Sequence, residues 1–175
     1  MKLKILFLFI TAMIISNVCF AHSPVRVSDY GSDGFYYRFN EIAQAMGKSN
    51  MIIQKMPQNV LSNDNYDTYL CANGPSGHGT AISLFANKEG FVSKIMIMGK
   101  ADDSVAMNTL GENFVLILAT LGVNKGEMSN FLESWSDNSL AEIRHWCSAE
   151  ERFILISRNI SYEYNSFSVT FTAAA

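Results

Sequence analysis

The chain of 175 residues holds only three cysteines, three prolines and three histidines. So few cysteines exclude a disulfide-dense scaffold and leave little for a structural zinc fold. So few prolines exclude a proline-rich disordered tract. Charged residues are also sparse, at 17%, and no run of basic residues occurs. With a formal net charge of −3, a phosphate backbone would be repelled, so nucleic acid is not expected as a partner. After residue 21 no apolar run approaches the ~20 residues that cross a bilayer. No internal repeat or low-complexity tract is present.

What the chain does contain begins at Met1–Ala21. Lys2 and Lys4 precede an apolar run from Ile5 to Ile15, interrupted only by Thr11. Polar Ser16 and Asn17 then lead to Cys19-Phe20-Ala21, with small residues at the two positions a signal peptidase reads. That is the layout of a secretory signal. Its apolar run of about 11 residues is short for a membrane anchor. Ser16-Asn17-Val18 lack the pattern of a lipid-attachment site at Cys19. The expectation is cleavage after Ala21, in a bacterial style of export, giving a periplasmic or secreted domain over residues 22–175. No stable membrane insertion is expected once the signal is gone. Loss of Lys2 and Lys4 takes the formal charge from −3 to −5.

Cleavage leaves Cys71 and Cys147. In an oxidising compartment an even pair implies a disulfide. It would close a loop of about 77 residues, worth at most about 4.5 kcal/mol in the chain-entropy picture.

Hydrophobic spacing predicts a helix from about Ser32 to Met46, with Phe35, Phe39, Ile42, Ala43 and Met46 on one face and Gly47 as its stop. Residues 48–68 give no clear period. Tyr69–Cys71 begins a strand, and Asn73–Gly79 is a glycine-rich connection. Ala81–Phe85 and Phe91–Met98 form a hairpin around Asn87-Lys88-Glu89-Gly90. Asp102 or Asp103 caps a second helix with the stripe Met107, Leu110, Phe114, Ile117, Leu118 and Leu121, closed by Gly122. Asn124 with Glu127 caps a third, carrying Met128, Phe131, Leu132 and Trp135. Ser139 with Glu142 predicts a short fourth helix with Leu140, Ile143 and Trp146. Phe153–Ser157 is a strand, and Ile160–Tyr164 with Phe167–Phe171 flanks an Asn165-Ser166 turn. The expected fold is α+β: an antiparallel sheet of about five strands, three to four helices mainly on one face, and one disulfide.

Candidate chemistry is thin. Cys71, His78, His145 and Cys147 are zinc-ligand types, but without close C-x2-C spacing a disulfide beside two unrelated histidines accounts for them. A free amino group on His22 would chelate copper, an arrangement that rests on one residue. No metal and no cofactor is expected. Ser76 and His78 in the glycine-rich loop can face one ligand, although the loop matches no phosphate-binding or nucleophile motif. Ser76 with His145 is the one nucleophile–base pairing that a Cys71–Cys147 bridge would favour. Asp102-Asp103 and Glu150-Glu151 are explained by helix capping and a solvated turn. Asn159-Ile160-Ser161 is a glycosylation triplet, relevant only in a eukaryotic secretory pathway.

The aromatics carry more. Phe35 and Phe39 share the buried stripe of the first helix, which leaves Tyr36, Tyr37 and Arg38 partly exposed. Tyr and Arg are the residue types that anchor interfaces, and Tyr162 and Tyr164 offer a similar face. The functional expectation is a non-catalytic exported module that binds another exported protein, such as an inhibitor or immunity-type partner. The alternatives are a small hydrolase using Ser76 and His145, and a metal-binding protein using His22 or the Cys/His set.

Overall fold

The computed structural model describes residues 26–75, 78–136, 141–163 and 165–174. The elements run α1 (Ser32–Ala45), a 3-10 turn (Ser49–Met51), β1 (Gln58–Ser62), β2 (Tyr66–Asn73), β3 (Thr80–Asn87), β4 (Val92–Lys100), α2 (Ser104–Thr120), α3 (Lys125–Ser136), β5 (Glu142–Cys147), β6 (Arg152–Ser161) and β7 (Ser166–Ala174). The strands form one antiparallel sheet in the order β1-β2-β3-β4-β7-β6-β5. Two meanders, β1–β4 and β5–β7, therefore join along β4 and β7, and α2 and α3 carry the chain from one to the other.

The sequence signals for the first three helices are the ones the structure uses, except that Leu132 of α3, expected on the apolar stripe, is 41% exposed. Asp103 caps α2 by accepting from the Val105 and Ala106 amides. Asn124 Oδ1 accepts from the amides of Gly126 and Glu127, and Glu127 Oε2 accepts from the Asn124 amide, a reciprocal capping box. Phe35, Phe39 and Ala43 of α1 are fully buried, as are Leu110, Phe114, Ile117 and Leu118 of α2. Met46 does not join this stripe; it is 47% exposed. Gly111 of α2 sits where an added Cβ would meet nothing within 4 Å. Gly111→Ala is therefore expected to stabilise the protein by about 0.5–1 kcal/mol through helix propensity alone, read as a higher denaturant midpoint.

Strand register sorts the sheet into two faces, because side chains alternate. One face holds the rows Tyr69–Leu84–Ile95–Phe171–Ile156–Ile143 and Cys71–Ile82–Ile97–Val169. These pack against the helices: the Phe114 ring lies 5.7 Å from Phe171 and 4.3 Å from Trp135, and Phe131 of α3 meets His145 edge-on. A buried polar knot also pins α2 to the ends of β2 and β3. Asn73 and Asn113 exchange amide hydrogen bonds at 2.7 and 2.8 Å. Thr80 donates to Asn73 Oδ1 and accepts from Asn113 Nδ2, and Asn73 Nδ2 also reaches the Met51 carbonyl at 2.7 Å.

Four sequence expectations need correction. The sheet has seven strands, not about five. The missed strand β1 is exposed along its whole length and has a bulge between Asn59 and Leu61, so it shows no burial alternation. The expected fourth helix is absent: Ile143 and Trp146 lie on strand β5, while Ser139 and Leu140 fall outside the described residues. Of the last hairpin, β6 is one strand through Ser161, Ser161 pairs with Ser166, and the turn is residues 162–165 with Asn165 at φ 45°; Tyr164 is outside the described residues. Finally, Cys71 and Cys147 are free thiols. They sit on β2 and β5 with four strands between them, about 24 Å at the usual strand spacing, whereas a disulfide needs Cα atoms within about 7 Å.

Candidate functional site

The described helices cover only one face of the sheet. On the other, the register lines up Leu70–Ser83–Met96–Thr170–Ser157–Glu142, and beside it Thr68–Phe85–Lys94–Thr172–Leu155–Arg144. A shorter row joins Ala72, Ala81, Met98, Ser168 and Asn159. None of the described helices packs on these residues. The centre is small and hydroxyl-bearing. Exposed apolar side chains stand around it: Leu70 is 41% exposed, Met98 39%, Trp146 47% and Phe153 37%.

The charged groups on this face are braced by its aromatics. The Lys94 ammonium lies 3.9 Å from the Phe85 ring centroid, and the Arg144 guanidinium 4.5 Å from that of Phe153. Trp146 and Phe153 meet edge-to-face at 5.2 Å. Among the described residues, Lys94, Lys100 and Arg144 stand against Glu142 alone, so the face is positive on a chain whose net charge is negative. Exposed aromatic and thioether groups with stacked cations and hydroxyls can desolvate and hold another protein's surface.

The residues singled out from sequence do not assemble into one site. Tyr36 is half-buried, its ring 5.1 Å from that of Tyr37; Tyr37 is 63% exposed, and Arg38 pairs with Glu41 at 2.9 Å. Tyr37 lies two residues from both Phe35 and Phe39, so it points away from the core and toward the outer side of the helix layer. Tyr162 is 89% exposed in the β6–β7 turn. His22 and Ser76 lie outside the described residues, as does the cleavage region.

The His78 imidazole takes Asp103 through Nδ1 at 2.6 Å, and that hydrogen bond is the main reason the Asp103 carboxyl titrates below its usual range. His145 is far from this loop, on the edge strand β5, where its Nε2 meets Ser134 Oγ at 2.8 Å. Cys71, His78, His145 and Cys147 are thus spread across the sheet and do not converge on a metal; no His, Cys, Asp or Glu cluster among the described residues could hold one. Burial pushes the Cys71 thiol up to about 12 and raises that of Cys147, so neither is poised as a thiolate. The glycine-rich loop has a packing role: a Cβ on Gly74, at φ 92°, would sit 2.5 Å from the Thr109 methyl.

Sequence reading missed the uncovered face. Its signal was the alternation in β4 over 94–100 and in β7 over 166–172, where every second residue is Ser, Thr, Met or Lys. Comparison with known proteins gives no match to a family model, a curated protein or a solved structure. The functional reading therefore rests on the chemistry of the surface.

Proposed function

We propose that this chain is a non-catalytic, exported protein-binding module that grips an acidic surface of another exported protein with the uncovered face of its sheet. The observation that carries this reading is the exposed set Leu70, Met98, Phe153 and Trp146 on a face that none of the described helices covers. Lys94, Lys100 and Arg144 supply the charge that favours an acidic partner. The leader supports export. A bridge between Cys71 and Cys147 no longer does, since both thiols are free.

A second surface is favoured by one observation, the exposure of Tyr37. It lies on the opposite side of the molecule, so one partner cannot use both. The two are separated by pull-down from the host's envelope fraction with processed protein. Met98→Glu with Trp146→Ser is expected to weaken capture at least tenfold, as loss of interface anchors does, with the fold intact by circular dichroism. Tyr36→Ala with Tyr37→Ala is expected to leave capture unchanged. The reverse outcome would transfer the site to α1.

A further inference from the structure

β1 ends the sheet order, and on its outer side the backbone amides and carbonyls meet no described partner. Such an edge is a template for another strand, and soluble proteins blunt it with charge. The opposite edge strand, β5, carries Glu142 and Arg144. Gln58–Ser62 carries no charge at all, and Val60 and Leu61 each stand 56% exposed on it. The two charges that flank the strand, Lys55 and Asp64, are exposed and make no ion pair or hydrogen bond among the described residues. Asp67, paired in register with Ser62, is already taken by Lys88 at 3.1 Å.

The bulge decides which side chains of this edge share a face. Residues three apart on a regular strand point to opposite faces. Here Gln58 pairs with Leu70 and Leu61 with Thr68, so Gln58 and Leu61 both stand on the uncovered side of the sheet. Beside Gln58 is a hollow of about 360 Å³ whose lining includes Met56, Leu70, Ala72 and Ala81; the last three lie on that same face. We propose that β1 pairs antiparallel with β1 of a second copy of this chain, about a two-fold axis. The register sets Lys55 beside Asp64 of the copy, Gln58 beside its Leu61 and Asn59 beside its Val60.

Charge selects the direction and the register. Parallel pairing would bring Lys55 against Lys55 of the copy, whereas this antiparallel register makes two Lys55–Asp64 ion pairs from four free charges. The faces agree as well. Opposed side chains of an antiparallel pair point the same way, about 4.5–5.5 Å apart, so Leu61 of the copy comes to lie beside Gln58 on the uncovered side, at the hollow next to Met56 and Leu70. The same contact repeats across the axis. A one-residue slip that opposed Leu61 to Asn59 would fail, because Asn59 faces the helices through its pairing with Tyr69. Two seven-stranded sheets become one continuous sheet, with both uncovered faces turned to the same side. The dimer stands whether or not that face binds a partner.

The test uses protein purified from its own host, so that the result does not depend on the leader. Sedimentation velocity over a concentration series reaching about 1 mM is expected to show a reversible monomer–dimer equilibrium. Lys55→Asp or Asp64→Lys alone should weaken it by about fivefold or more, since each sets two pairs of like charges face to face. Both sites are exposed, and circular dichroism checks that the fold is kept. Mixing the two variants, or combining both changes in one chain, restores opposite charges at both contacts and should return the affinity to within about twofold of the native value. For the register, Gln58→Cys mixed with Leu61→Cys should oxidise to the crossed disulfide in preference to either like pair. A monomer across the whole series, a dimer whose affinity ignores both charge changes, or disulfides formed between like positions instead would overturn the β1 pairing.

Discussion

Replacing Phe114 by alanine is expected to cost about 3–5 kcal/mol, the range for a fully buried aromatic. Phe114 is 1% exposed and stands where three elements meet, with Trp135 of α3 on one side and Phe171 of β7 on the other. Removing its ring deprives both neighbours of their closest aromatic contact and opens a cavity that the sheet cannot close by local collapse. A typical domain has only about 5–15 kcal/mol of stability, so this one ring holds a large share. Urea unfolding followed by fluorescence reads both effects. The midpoint should fall, and the native emission should shift to the red as Trp135 gains access to water. A loss below about 1 kcal/mol would mean that α2 is not the packing centre of the fold.

Asn113→Ala should be nearly as damaging, for a different reason. Asn113 is wholly buried, Asn73 6% exposed and Thr80 1%. Their side chains satisfy one another, and Asn73 Nδ2 also donates to the Met51 carbonyl. Deleting one carboxamide leaves the others desolvated and short of partners, at about 1–3 kcal/mol for each group orphaned. We expect a total loss of about 3 kcal/mol. A double-mutant cycle of Asn73→Ala with Asn113→Ala should show coupling of about 1–3 kcal/mol, since the second deletion removes groups that the first has already orphaned. Additive effects would show that the two amides are independent.

Some of this architecture was legible in the sequence and some was not. The helices were, because their stripes and caps are local: Asp103 and the Asn124–Glu127 box sit where the chain places them. The β3–β4 hairpin was legible through Gly90 in its turn, at φ 88°. Strand β5 was not. Ser139 with Glu142 mimics a helix cap, and six residues are too few for a period to tell Ile143 and Trp146 on a strand from the same pair on a helix. β1 was hidden because an edge strand exposed on both faces has no alternation to show. The bridge between the cysteines followed from export and an even count, neither of which carries distance. Each thiol instead lies against a backbone carbonyl on the helix-covered side, Cys71 by Ile82 and Cys147 by Leu121.

The binding surface was the hardest part to see. Tyr36, Tyr37 and Arg38 are adjacent in sequence and so attract notice. Leu70, Met98, Trp146 and Phe153 come from four strands and become one surface only through the sheet order. Ser83, Thr170 and Ser157 read as an ordinary wet face; register alone places them in one row with Leu70, Met96 and Glu142.

The most direct test of that surface is site-specific photo-crosslinking in the processed protein, with the reactive side chain placed in turn at Met98, Trp146 and Tyr37. Exposed to the host's envelope proteins, positions 98 and 146 are predicted to join the same partner and position 37 none. Crosslinking from position 37, with neither sheet position joined, would contradict the assignment of the uncovered sheet face as the binding surface.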